Sequence, residues 1–119
     1  MGIQTVYASA ARTATPTAVV INTRRASGLY IVIDATAITA SPSVVPTIDL
    51  VDSVSGKFVN LVTAAAVATV STVMLRIGRG LTAAANATVL EFLPDQVRVT
   101  MTHGDADSIT YSVSAHLLD

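Results

Sequence analysis

The residues able to do chemistry are few and scattered. His103 and His116 are the only histidines, Glu91 is the only glutamate, and there is no cysteine. A Ser-His-Asp nucleophile needs its three groups in contact, and no G-x-S-x-G elbow marks one. His116 falls on the polar side of a strand pattern with Ser112 and Ser114, so an exposed or interface histidine is expected. Asp105 and Asp107 form a D-x-D pair beside His103 and Gly104. Calcium wants six or more oxygen ligands, and two carboxylates fall short. Asp and Gly are also what a tight turn prefers, so this segment is predicted to be a structural turn. Paired-carboxylate catalysis needs a defined separation, and no spacing singles out a partner for Glu91. Gly78-x-Gly80 has neither a third glycine at the required spacing nor a following Lys-Ser/Thr, so it is not a phosphate loop. Arg24-Arg25-Ala26-Ser27 has the form of a basophilic kinase site, and Asn86-Ala87-Thr88 that of a glycosylation sequon. Both are short patterns that arise by chance. Arg24, Arg25, Arg76, Arg79 and Arg98 remain as forks suited to a partner's carboxylates. No catalytic, cofactor-binding or metal-binding residue is assigned.

The elements that must carry these residues follow from composition. The chain has 119 residues, which suits one domain. Hydrophobic residues make up 51 % and charged residues 13 %, about half the charge of an ordinary soluble domain. Disorder is excluded, because disordered chains are polar and charged. Seven basic residues against eight acidic ones leave no electrostatic footprint for nucleic acid. Without cysteine there is no disulfide framework. Val, Ile and Thr supply 41 residues and Ala another 19, while Trp is absent and Phe and Tyr together number five. β-branched side chains favour the pleated strand. The expected fold is all-β, with a core of small aliphatic side chains.

Hydrophobic periodicity places the strands. Residues 1–17 are small and Thr-rich, an N-terminal arm or edge strand; residues 18–119 form the sandwich domain. The N-terminal segment begins Met1-Gly2-Ile3-Gln4, with no basic or long apolar region, so no signal peptide is read there. Residues 18–22 make a short apolar run, and 23–28 a polar loop. Leu29–Asp34 is apolar on both faces, which predicts a central strand covered on both sides. Pro42 and Pro46 assign 39–46 to a connection, because proline is confined to edges and turns. Residues 47–51 and 58–62 flank the turn Asp52–Lys57 as a hairpin.

Phe58–Leu75 is 18 residues without a charge, near the length of a membrane-spanning helix. Its Val and Thr content favours two strands joined by an Ala-rich connection. Residues 72–77 alternate as a strand, 81–87 have enough alanine for one or two helical turns, and 88–93 resume a short strand. Residues 96–102 and 109–117 alternate as a second hairpin around 103–108, with one apolar and one hydroxyl-rich face. The sum is a single antiparallel β-sandwich of seven to nine short strands.

Several segments carry a resemblance. Ala10–Thr17 (AARTATPT), Gly28–Ala37 (GLYIVIDATA) and Asp105–Val113 (DADSITYSV), with the Val54-Ser55-Gly56-Lys57 turn and Gly80-Leu81-Thr82, resemble a family of small proteins encoded by tailed bacteriophages. The resemblance implies a non-enzymatic virion structural protein on the capsid surface, made in the bacterial host cytoplasm. The role it suggests is a capsid decoration or minor capsid protein bound across major-capsid subunits. Its partners would then be the major capsid protein and copies of itself in a homo-oligomer, with no cofactor, no membrane and no direct nucleic-acid contact. The family has no catalytic signature, so no functional residue is carried over. Two other readings stand beside it: a tail or neck component, and a small binding module or enzyme. A sugar site would usually stack aromatic rings on its ligand, and Tyr7, Tyr30 and Tyr111 are far apart in sequence. The low charge and the hydroxyl-rich faces suit a surface covered by other subunits. The arm would add buried area across subunit boundaries.

Overall fold

Runs of alternating β-branched residues form nine strands among the described residues, joined by Gly-, Pro-, Asp- and Ala-containing connections. A computed structural model describes residues 2–79, 81–89 and 93–118. The strands are β1 (Gly2–Arg12), β2 (Val19–Asn22), β3 (Gly28–Ile38), β4 (Val44–Val51), β5 (Phe58–Thr63), β6 (Ser71–Gly78), β7 (Thr88–Val89), β8 (Gln96–His103) and β9 (Ile109–Leu118). A five-stranded sheet runs β1-β9-β3-β6-β7 and a four-stranded sheet β2-β8-β4-β5. All ladders are antiparallel except the two-residue pairing of β7 with β6. The two sheets bury one core between them, as a β-sandwich does. With β7 set aside, the orders 1-9-3-6 and 2-8-4-5 are those of a jelly roll, a double sheet of eight strands built from two Greek keys.

The core is made of small aliphatic residues, as composition requires. Ile21, Leu29, Ile31, Ile33, Val44, Ile48, Ile77, Val97 and Met101 are fully buried, with Tyr111 the largest side chain among them. The uncharged stretch Phe58–Leu75 is β5, an Ala-rich connection and the start of β6. No helix long and apolar enough to cross a membrane occurs among the described residues.

The β4–β5 hairpin forms as expected. Its turn is closed by Gly56 N–H donating to the Asp52 carbonyl (2.8 Å), with Gly56 at φ 74°, a left-handed conformation that glycine adopts without strain. The Asp52 carboxylate accepts from Ser55 Oγ (2.7 Å) and Val54 N–H (3.1 Å). These bonds, led by the Ser55 hydroxyl, hold its pKa below the usual carboxylate range.

Four expectations are corrected. The second hairpin does not exist, because β8 and β9 belong to opposite sheets. A strand pair that arches over the core edge has the same alternation as a hairpin, since both strands must turn their apolar face inward. Only ladder partners distinguish the two, and those partners are β4 for β8 and β3 for β9. Second, β3 is central but not covered on both sides. Ile31 and Ile33 face the core, while Tyr30, Val32 and Asp34 stay partly exposed on the outer face.

Third, Pro46 lies inside β4, an interior strand. Its carbonyl accepts from Ala64 N–H (2.9 Å) beyond the last β4–β5 ladder pair, Thr47↔Thr63. The missing proline N–H falls on that same side, where no ladder bond is lost. Fourth, 81–87 forms no helix. Ala87 N–H and Thr88 N–H both return to the Ala84 carbonyl around Asn86 at φ 59°, a tight turn. Of the expected strand 88–93, β7 covers Thr88–Val89; residues 90–92 lie outside the described residues.

Residues 2–12 form β1, which pairs along β9 from Gly2↔Leu117 to Arg12↔Ile109. Val6 and Tyr7 are buried in the core cluster. The segment expected to lend area to a neighbour therefore packs against its own sandwich.

Candidate functional site

The residues singled out by sequence do not converge. Asp105 and Asp107 shape the turn between β8 and β9. The Asp105 carboxylate accepts from Asp107 N–H (3.1 Å) and the Asp107 carboxylate from Ser41 N–H (3.1 Å). No group of three or more metal-ligating side chains occurs among the described residues. Ser114 Oγ and His116 Nε2 lie 3.2 Å apart on the outer face of β9. Asp34, the carboxylate on that face, accepts instead from Thr72 Oγ1 (3.1 Å). Glu91 and Gly80 lie outside the described residues. Ser27 Oγ donates to the Leu118 carbonyl (3.3 Å), and the sequon's Thr88 hydroxyl is buried without a hydrogen-bond partner. Arg24 lies 4.0 Å from Asp95 on the surface.

Two polar clusters emerge only through long-range pairing. In the first, the bulge between Tyr7 and Ala10 on β1 interrupts the ladder to β9, and backbone carbonyls freed by a bulge must find other donors. Arg12 supplies them. Its Nη2 donates to Ala8 O (2.7 Å), and its Nη1 to Tyr111 O (2.9 Å) and Ala10 O (3.2 Å). The same guanidinium lies 4.7 Å from the Tyr111 ring centroid and 5.4 Å from that of Tyr7, within cation–π range.

Tyr7 Oη donates to the Thr17 carbonyl (2.6 Å), and Tyr111 Oη lies 2.9 Å from His103 Nε2. Burial pushes the Tyr111 phenol up to about 12, against the opposing pull of Arg12. Burial, helped by Arg12, pushes the His103 imidazole down, with Asp105 opposing. The two groups share this hydrogen bond, and the imidazole tautomer sets which of them donates. The cluster ties β1, β8, β9 and the 13–17 segment together. Its hydrogen bonds join neighbours within the fold.

The second cluster crosses the outer face of the four-stranded sheet. Ladder register places Arg98, Asp49 and Asn60 side by side on β8, β4 and β5. Arg98 Nη2 donates to Asp49 Oδ2 (2.9 Å), Asn60 Nδ2 donates to Asp49 Oδ1 (3.1 Å), and Arg98 lies 3.5 Å over the Phe58 ring. Arg98, expected to grip a partner, is thus engaged at home. The Asp49 side chain is only 10 % exposed and Arg98 29 %. Arg98→Ala is expected to cost roughly 2 kcal/mol, because it leaves a shielded carboxylate short of its cation. Asp49→Asn is expected to cost less, since Arg98 can still reach water. Urea midpoints of the two variants check the order.

What remains is a surface. On the outer face of the five-stranded sheet, the ladders set side chains in rows across the strands. The first row is Ile3, His116, Tyr30 and Arg76; the second is Thr5, Ser114, Val32 and Met74; the third is Ser112, Asp34 and Thr72. Ile3 is 75 % exposed and Met74 40 %. Beside these rows, Gly28 pairs with Gly78, and the absence of side chains leaves a hollow of about 170 Å³ walled by Tyr30, Leu81, Leu118 and Arg79. A face of apolar and hydroxyl groups with one acid, one arginine and one histidine is suited to packing against protein. The alternation of β9 and the apolar outer positions of β3 were visible in sequence; their meeting in one face was not. Comparison with known proteins finds no match to this chain: no protein-family model, no curated protein and no solved structure.

Proposed function

We propose that this chain is a non-enzymatic structural protein of a tailed-bacteriophage virion, a capsid decoration or minor capsid protein that binds across major-capsid subunits. The observation that carries the reading is a surface with little charge to keep it in water: 13 % of residues are charged, and Val20, Val54, Phe58, Val59 and Val70 stand exposed. The Arg12 and Asp49–Arg98 clusters make their hydrogen bonds within the fold, and on this reading the chain acts by burying surface. Buried apolar area contributes about 25 cal/mol per Å², so a contact of several hundred Å² contributes several kcal/mol before ordering costs.

The resemblance of residues 10–17, 28–37 and 105–113 to small tailed-phage proteins supports the same reading. So does the jelly-roll strand order, which recurs in viral capsid domains but also in lectins and cupins. In purified virions, labelled copies of the chain are expected on the head shell at hundreds per particle by quantitative mass spectrometry. Copies in multiples of three or six along the tail would move the protein to the tail or neck. Absence from purified virions would overturn the proposal.

A further inference from the structure

The outer face of the five-stranded sheet is complementary to itself. We infer that it is a homodimer interface, in which two copies pack this face against the same face around a two-fold axis. The inference rests on the face itself and stands whether or not the chain belongs to a virion.

A two-fold interface presents one patch to its own copy, so the patch must tolerate itself in shape and charge. In the three rows the only formal charges are one acid, Asp34 on β3, and one base, Arg76 on the neighbouring β6. They lie two rows apart, on either side of Val32 and Met74. A two-fold axis in the plane of the face, passing between Val32 and Met74, exchanges the Asp34 and Arg76 positions. Each Asp34 then lies over the partner copy's Arg76, so one pair in sequence makes two across the interface. With strands about 4.8 Å apart and rows about 6.7 Å apart, that exchange crosses the strands of the two copies at about 40°. Aligned sheets pack at about 30° with scatter, so the crossing is an ordinary one.

The apolar side chains fall in line with this axis. Val32, Met74 and Ile3 lie close to it, so each meets its own counterpart, while Tyr30 reaches over the hydroxyl-bearing β9. The four strands β1, β9, β3 and β6 offer roughly 600 Å² in plan before side-chain relief is counted. A standard interface buries about 800 Å² of accessible surface on each partner, so the face is of the right size.

Size-exclusion chromatography with light scattering on the full chain is the test. The expected mass is twice the 12.2 kDa of one chain. Val32→Glu is expected to give monomer with an unchanged urea midpoint; should that variant unfold, Met74→Glu serves, since Met74 is already exposed. Asp34→Arg and Arg76→Asp alone are each expected to weaken association about tenfold or more. The double variant, with both charges reversed, is expected to restore it. A monomeric wild-type chain, a dimer that survives both glutamate substitutions, or a double variant no tighter than the singles would overturn the inference. A face protected from hydrogen exchange only when phage shells are added would also overturn it, and would make the shell its occupant.

Discussion

A chain lacking residues 1–12 is expected to lose its cooperative unfolding transition rather than merely shed an arm. β1 contributes Val6 and Tyr7 to the core, and each loses most of its solvent contact. Burying a side chain of this size contributes about 1.5–3 kcal/mol. The deletion also removes Arg12, which donates to three backbone carbonyls and lies against two aromatic rings. Hydrogen bonds to a charged donor contribute about 1.5–3 kcal/mol. The ladder from Gly2↔Leu117 to Arg12↔Ile109 goes with them, and β9, an uncharged strand, becomes a bare edge. A domain of this size has only about 5–15 kcal/mol in total, so the losses approach the whole. Circular dichroism with urea titration reads the result. A truncated chain with the midpoint of the full chain would show that β1 is dispensable and free to pair elsewhere. An edge strand left bare is a template for association, so aggregation of the truncated chain is part of the expectation.

Tyr111→Ala is expected to lower stability by about 3–5 kcal/mol, the range for truncating a large buried aromatic. Tyr111 is fully buried near the start of β9 and touches two systems at once. Its ring underlies Arg12, and its hydroxyl meets His103 across the sandwich. Truncation opens a cavity and strips both neighbours of their contact. For a domain of this length the loss corresponds to a melting temperature lower by roughly 10–20 °C. Tyr111→Phe keeps the packing and removes only the hydroxyl, so about 1 kcal/mol is expected. The pair separates packing from hydrogen bonding. A Phe variant as unstable as the Ala variant would place the weight on the hydrogen bond, against the cavity argument. Guanidinium midpoints at constant slope measure both.

Much of the fold is legible in one dimension because its cause is local. Seventeen Val, eight Ile and sixteen Thr in short alternating runs can be satisfied only by strands. The turn Asp52–Lys57 writes its own hairpin, since Asp52 supplies the side-chain acceptors and Gly56 the positive φ. What alternation cannot say is which strand lies beside which. Residues 96–102 and 109–117 obey the same pattern whether they pair or arch, and they arch. Likewise Leu29–Asp34 is apolar on both faces, but only the inner one is covered within the chain. The outer one stays partly exposed at Tyr30, Val32 and Asp34.

The polar clusters show the same division. Arg12 and Tyr111 are 99 residues apart, and Asp49 and Arg98 are 49 apart. Nothing in either neighbourhood marks the pairing, because a ladder register between distant strands sets it. Composition by itself determined that the chain is all-β, sparsely charged and built on small aliphatic residues, since those properties sum over residues without regard to neighbours. The sorting of strands into two sheets, the burial of β1 and the alignment of Ile3, Tyr30, Val32 and Met74 on one face came from tertiary structure. Each depends on which backbone groups bond across the chain, and hydrogen-bond partners at long range leave no trace in local periodicity.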